Sequence, residues 1–205
     1  TGGNISSIDG LIRANGSASL FLINPNGIIF GENAQLDIGG SFFCSTAESI
    51  LFDEGQFSAV DLDNPLLTVN APIGFSFRED PAEITNRSVN GDLGLQVAPG
   101  ANIGLIGGDI NLEGGLITAP MGRIELGGLA ESGTIDFAED GSLNFAGDLV
   151  KSNIFLSDSA VVSVAGAGGG FINLNANNLE LSNASLFLAG ISEGLGSADA
   201  VAGTI

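Results

Sequence analysis

Ser19-Leu20-Phe21-Leu22-Ile23-Asn24-Pro25-Asn26-Gly27-Ile28-Ile29-Phe30-Gly31 is the stretch that decides how this chain folds. At its centre, Asn24-Pro25-Asn26-Gly27 has the residues of a tight corner. Proline fixes φ at the second turn position, asparagine tolerates the left-handed region and glycine enters it freely. The apolar runs on either side therefore read as two strands joined by that turn. In Leu20-Phe21-Leu22-Ile23 both alternating faces are apolar, which requires cover on each side, as in a parallel sheet stacked inside and capped outside. Further on, Ala34-Gln35-Leu36-Asp37-Ile38 sets Leu36 and Ile38 opposite Gln35 and Asp37, the pattern of a half-buried strand.

Repeats carry the same reading toward the end of the chain. Gly122-Arg123-Ile124-Glu125-Leu126, Gly141-Ser142-Leu143-Asn144-Phe145 and Gly170-Phe171-Ile172-Asn173-Leu174 share the form Gly-x-apolar-polar-apolar. Ile154-Phe155-Leu156-Ser157 aligns with Leu179-Glu180-Leu181-Ser182, and Ala165-Gly166 with Ala189-Gly190. Irregular repeats of about twenty to thirty residues, each too small to bury its own apolar face, mark a stacked solenoid. No long 3.6-residue periodicity and no helix caps accompany them, so helical repeats do not fit. The fold expected is all-β: a right-handed parallel β-helix of roughly eight rungs about 4.8 Å apart. Between Phe52 and Val89 the glycine punctuation loosens, and Pro65, Pro72 and Pro81 cluster among acidic residues. Proline cannot donate to a central ladder, so residues 52–90 are expected to leave the coil as an extra-helical β-hairpin or sheet on its outside.

Taken together, Gly2-Gly3-Asn4, Ser7-Ile8-Asp9-Gly10, the stretch Leu20 to Gly31, Gly39-Gly40-Ser41-Phe42 with Ser45-Thr46-Ala47, Leu66 to Gly74 and Gly122 to Leu129 resemble the filamentous-haemagglutinin-type secretion domain, also called the haemagglutination activity domain. That family forms the N-terminal region of large bacterial exoproteins exported by two-partner secretion. The resemblance covers essentially the whole chain. It implies one β-helical secretion domain over residues 1–205, part of a longer exoprotein. Such a domain travels through the periplasm and outer membrane to the cell surface. Its implied partner is an outer-membrane barrel transporter with periplasmic POTRA-type domains, after whose recognition the domain nucleates β-helix folding outside. In the family, the motif matched here by Asn24, Pro25, Asn26 and Gly27 is associated with secretion competence. A second family motif, Asn-Pro-Asn-Leu, is met only by the divergent Asn64-Pro65-Leu66-Leu67, and no role is carried to those residues. Thr1-Gly2-Gly3 opens inside the family pattern, and Ser197 to Ile205 reads as a rung just starting. Unpaired strand edges at both ends are templates for another chain, so end-to-end self-association or swapped contacts, or else disordered terminal residues, are expected.

Composition narrows the functions open to the chain. Hydrophobic residues make up 44% of 205 residues and glycine 32 of them, enough for a core and for many corners. Five Lys+Arg against 24 Asp+Glu give a net charge of −19, which repels phosphate backbones and anionic headgroups, so nucleic acid is not an expected partner. No apolar run is long enough to span a membrane, and Cys44, alone and within Phe42-Phe43-Cys44, reads as a small buried hydrophobe. The chain has no His, Trp or Tyr, which removes the usual general base, the commonest metal ligand and the best sugar-stacking rings. Carboxylate pairs able to hydrolyse a glycoside are the remaining catalytic option. However, Glu139-Asp140 precedes a glycine at a turn, and Asp61 and Asp63 fall in the proline-marked segment. Arg123 and Glu125 read as a solvent-facing pair on one strand face. Calcium-loop spacing and a P-loop are both missing, so the chain is expected to be neither an enzyme nor a holder of metal or cofactor. The alternative readings are a surface adhesin or carbohydrate-binding module and, behind it, a β-helical polysaccharide-degrading enzyme.

Overall fold

A computed structural model describes residues 3–61, 63 and 70–205. Among them the chain is all-β apart from one short 3-10 turn, Asn90–Asp92. Three parallel faces are visited in rotation. The first is a six-stranded sheet of Ser6–Ile8, Ile28–Phe30, Ile84–Asn86, Ile110–Glu113, Ile154–Ser157 and Leu179–Leu181, in chain order. The second consists of the pair Leu11–Ala14 and Gln35–Ile38, followed by Leu95–Gln96, Leu116–Thr118, Val161–Ser163 and Leu186–Leu188. The third is a five-stranded sheet of Leu20–Ile23, Phe42–Ser45, Ile103–Gly107, Arg123–Gly128 and Phe171–Asn175. An all-β chain with parallel sheets ordered in this way is consistent with a β-helix.

Register turns the alternating pattern into columns. On the first sheet Ile28, Ile84, Ile110 and Ile154 stand opposite one another. On the third, Leu22, Cys44, Leu105, Leu126 and Leu174 do the same. These columns meet in one inner core, where Ile84, Leu105, Ile110 and Cys44 are fully buried. Continuous stacking of β-branched and leucine side chains removes apolar surface from water on both sides of every inner rung, while Leu179 and Leu181 on the last remain exposed. Burial raises the Cys44 thiol pKa far above its ordinary value, as suits a packing residue.

The corner leading from the third sheet back to the first alternates in kind. It is tight at Asn24–Gly27, again at residues 108–109, and again at residues 176–178. Between these, the chain leaves the parallel sheets twice. Ser49–Phe52, Gly55–Ser58 and Gly74–Phe77 form a first arm, and Gly133–Phe137 with Leu143–Asn144 a second. The arms join in one antiparallel sheet, in which Ile135 stands opposite Phe75 and Phe75 opposite Ile50. Thr46 Oγ donates to the Ala82 carbonyl at 2.7 Å and closes the base of the first arm.

This antiparallel sheet covers the outside of the third parallel sheet, which the two apolar faces of Leu20–Ile23 require. Phe21 stacks on Phe43 with centroids 5.0 Å apart, and Phe137 sets its edge on Phe43 at 5.3 Å. With Ile23, Ile106, Phe75, Ile135 and Leu143 they make a second core outside the first.

Several sequence readings shift. The antiparallel strands of the first arm begin at Ser49 and end at Phe77, while Ile84–Asn86, inside the range 52–90, lies in the first parallel sheet. The longest parallel sheet has six strands among the described residues rather than roughly eight, because the two arms absorb the remainder. Leu143–Asn144, read as a third copy of the glycine repeat, belongs to the second arm. Period-two alternation identifies a half-buried strand without saying in which sheet it lies. Ile154 does pair with Leu179, but Gly166 bridges Ile191, so Ala165 stands one residue out of the register expected with Ala189.

Candidate functional site

Asn24 ends the first strand of the third sheet, its N–H donating to the Ser45 carbonyl at 3.0 Å. Pro25 then turns the chain, and the Gly27 N–H donates back to the Asn24 carbonyl at 3.1 Å. The Asn24 side chain works on both sides of this turn. Its Oδ1 accepts the Asn26 N–H at 3.0 Å, while its Nδ2 donates to Ser6 Oγ at 2.7 Å and to the Asn4 carbonyl at 3.1 Å. Asparagine suits the position because one amide both accepts and donates, and here it ties the turn to the preceding circuit.

Gly27 alone carries the positive φ, 108°, whereas Asn26 stays at negative φ, so the left-handed tolerance expected of Asn26 is not used. A Cβ on Gly27 would lie 3.4 Å from the Glu83 carbonyl and 3.6 Å from Ala82 Cβ. The chain returning from the first arm thus packs directly across the corner. Arg78, at the end of that arm, donates to the Pro25 carbonyl at 2.9 Å. Asn24, Pro25 and Gly27 are all buried, and Asn26 is half-buried. The four residues thus stand together as one corner, clamped by Asn4 and Ser6 on one side and by Arg78, Ala82 and Glu83 on the other. Sequence reading missed these clamps. Only Arg78, a cation among acids in Phe77-Arg78-Glu79-Asp80, offered a signal. The divergent Asn64-Pro65-Leu66-Leu67 motif lies outside the described residues.

The carboxylates weighed for catalysis are used locally. Asp140 Oδ1 accepts from the Ser142 N–H at 3.0 Å and from its hydroxyl at 2.6 Å, bonds that lower its pKa below the ordinary carboxylate value. Asp61 Oδ1 accepts the Asp63 N–H at 3.2 Å. Among the described residues no group of three or more acidic or thiol side chains is placed to hold a metal.

One expectation fails outright. Arg123 and Glu125 do not form a solvent-facing pair, since Glu125 is fully buried beneath the second arm. Its Oε1 accepts from Asn173 Nδ2 at 2.7 Å. Arg123 approaches Glu125 at 3.7 Å and Asp140 at 3.1 Å, with its guanidinium over the Phe171 ring. Two-residue spacing did place both side chains on one strand face, but that face is covered.

No curated protein and no solved structure matches the chain. Residues 1–174 match the family described as the TPS secretion domain. This is the targeting domain of two-partner secretion, whose proteins leave through an outer-membrane transporter partner and reach the cell surface or the extracellular space. The match covers most of the chain, including both arms and the Asn24–Gly27 corner, and the chain therefore belongs to the TPS secretion domain family.

Proposed function

We propose that this domain, as a single unit over residues 1–205, is recognised by periplasmic POTRA-type domains of its transporter before it has folded. We infer further that it then nucleates a right-handed parallel β-helix at the cell surface. The observation that carries this reading is the state of Asn24–Gly27. In the folded chain the polar groups of Asn24 and the Pro25 carbonyl already have partners from Asn4, Ser6, Asn26 and Arg78, and the turn is buried. A transporter that reads Asn24, Pro25, Asn26 and Gly27 must meet them before those bonds close.

Directionality follows from the stack. Each circuit that forms outside buries apolar side chains on the one before it, so returning through the pore would require exposing them again. The net charge of −19 keeps the unfolded segment soluble and apart from its copies during passage.

The test is to express the chain, behind a signal peptide and ahead of a reporter, in cells with and without the partner barrel. Surface delivery of the reporter only with the barrel is the expected result. A pull-down should then show the POTRA domains retaining urea-unfolded chain and releasing the refolded one. Equal retention of both forms would overturn recognition before folding.

A further inference from the structure

The outer face of the third parallel sheet changes character along its length. In register across five strands stand Phe21, Phe43, Gly104, Glu125 and Asn173. The first two rings hold the antiparallel sheet by aromatic packing. Beyond Gly104, which has no side chain to offer, the second arm rests on a carboxyl group.

That carboxyl group is incompletely satisfied. The Glu125 side chain is 1% exposed; Oε1 takes the Asn173 amide, and Oε2 has no well-aligned hydrogen-bond partner, the Leu143 N–H of the arm approaching the carboxyl only loosely. Other charge around it is sparse. Its own strand supplies Arg123, 3.7 Å away, and the arm supplies Asp140, which holds the same guanidinium more closely at 3.1 Å. The neighbouring strands bring Gly104 and Asn173, neither of which titrates. Lys151 turns to Asn175 Oδ1 at 3.4 Å and lies over the Phe145 ring. One cation thus serves two carboxylates, and the buried one has the weaker share. A buried ionised carboxylate with an unpartnered oxygen is costly, and the structure can relieve it by taking up a proton or by lifting its cover.

We propose that Glu125 is the clasp by which the second arm, Gly133–Asn144, lies on the parallel sheets, holding while its carboxyl carries a proton and slackening when the proton is lost. The ionisation supports this geometry. Burial, opposed by the Asn173 hydrogen bond, by Arg123 and by the Leu143 N–H of the arm, and helped by Asp140, pushes the carboxyl from 4.5 up to about 7. A raised carboxyl pKa means that the closed arm binds the proton more tightly than the open one. Closure is therefore favoured at low pH and weakens as pH rises from about 4.5 through 7, with no further change above. The pH of neutral medium falls at the top of this window, so modest acidification fastens the arm.

Amide hydrogen exchange on the 205-residue chain tests the clasp, with residues 133–145 compared against Ile110–Glu113 as an internal reference. Between pH 5.5 and 8.5 the arm's protection relative to the reference should fall by about 30-fold in the wild type, as the linkage between 4.5 and 7 gives. In Glu125→Gln, which keeps the shape and cannot ionise, relative protection should be flat. Should that variant fail to fold, the wild-type Glu125 carboxyl, followed by carbon NMR, must titrate at the pH where the arm loosens. Leu143→Ala, which thins the cover, must lower that midpoint. A wild-type profile that is flat, a Gln variant with the same pH response, or a carboxyl titrating at an ordinary glutamate value would each overturn the proposal.

Discussion

Replacing Asn24 by Ala separates what the Asn24–Gly27 corner does for folding from what it does for export. Four side-chain bonds disappear: those from Nδ2 to Ser6 Oγ and to the Asn4 carbonyl, and those Oδ1 accepts from the Asn26 N–H and the Asn26 side-chain amide. At about 0.5–1.5 kcal/mol net for each, the loss comes to about 2–6 kcal/mol, more than a solvent-exposed turn asparagine would contribute. Urea titration of the purified variant reads this directly as a lower midpoint at unchanged slope. The comparator is Leu112→Ala, which removes a fully buried core side chain at about 2–5 kcal/mol and touches no part of the corner. Both variants then enter the secretion assay. If the transporter reads the motif, export of the Asn24 variant falls well below what its urea midpoint predicts on the scale set by the Leu112 variant. If export of the two simply follows their urea midpoints, Asn24–Gly27 is a corner and nothing more. The assignment of Asn24, Pro25, Asn26 and Gly27 as a recognition motif would then be withdrawn.

Three further perturbations bear on the architecture. Phe43→Ala should cost about 3–5 kcal/mol in chemical denaturation, because Phe43 carries both the Phe21 stack and the Phe137 edge. A loss below about 1 kcal/mol would mean that the outer sheet is held elsewhere. Gly128→Ala would drive a Cβ onto the Gly107 carbonyl oxygen, whereas Gly168→Ala meets open space. The first should lower the melting temperature by about 5 °C or more and the second should leave it nearly unchanged, and equal melting would contradict the close stacking of circuits. Cys44, fully buried with its thiol pKa raised, should react with a thiol reagent only at the rate of global unfolding. Rapid labelling of the native chain would show that the inner core opens locally.

Much of the architecture was legible because stacked parallel strands write themselves into sequence twice, as alternation within a strand and as repetition between strands. Leu20–Ile23 broke the alternation, apolar on both faces, and so announced an outer cover before any arm was visible. The repeat joining Ile154 to Leu179 was legible for the same reason, since each stands on the other in the sheet. Leu143–Asn144 was not, because its alternation serves an antiparallel partner, Asp136–Phe137, instead of a neighbouring circuit. The burial of Glu125 was hidden for a related reason. Spacing gives the face of a strand, and only the arm folding back decides whether that face is wet. At the corner, the turn residues could be read from their backbone preferences. Their clamps could not, since Arg78 reaches Pro25 across a separation that no local pattern records.

The alternation of tight and open corners also bears on how such a domain can change in length. Both arms depart where the chain passes from the third sheet to the first, and between them the residues at 108–109 take the short way. Closing a circuit around an arm means joining ends separated by about twice the usual length of chain, and a doubling adds only about 0.6 kcal/mol of closure entropy. Length added at those two corners thus leaves the register of the stack untouched and is entropically almost free, whereas one residue added at Asn24–Gly27 would push the turn into the returning chain at Ala82 and Glu83. Lineages of this domain should accordingly differ most in the two arms and hardly at all at the tight corners.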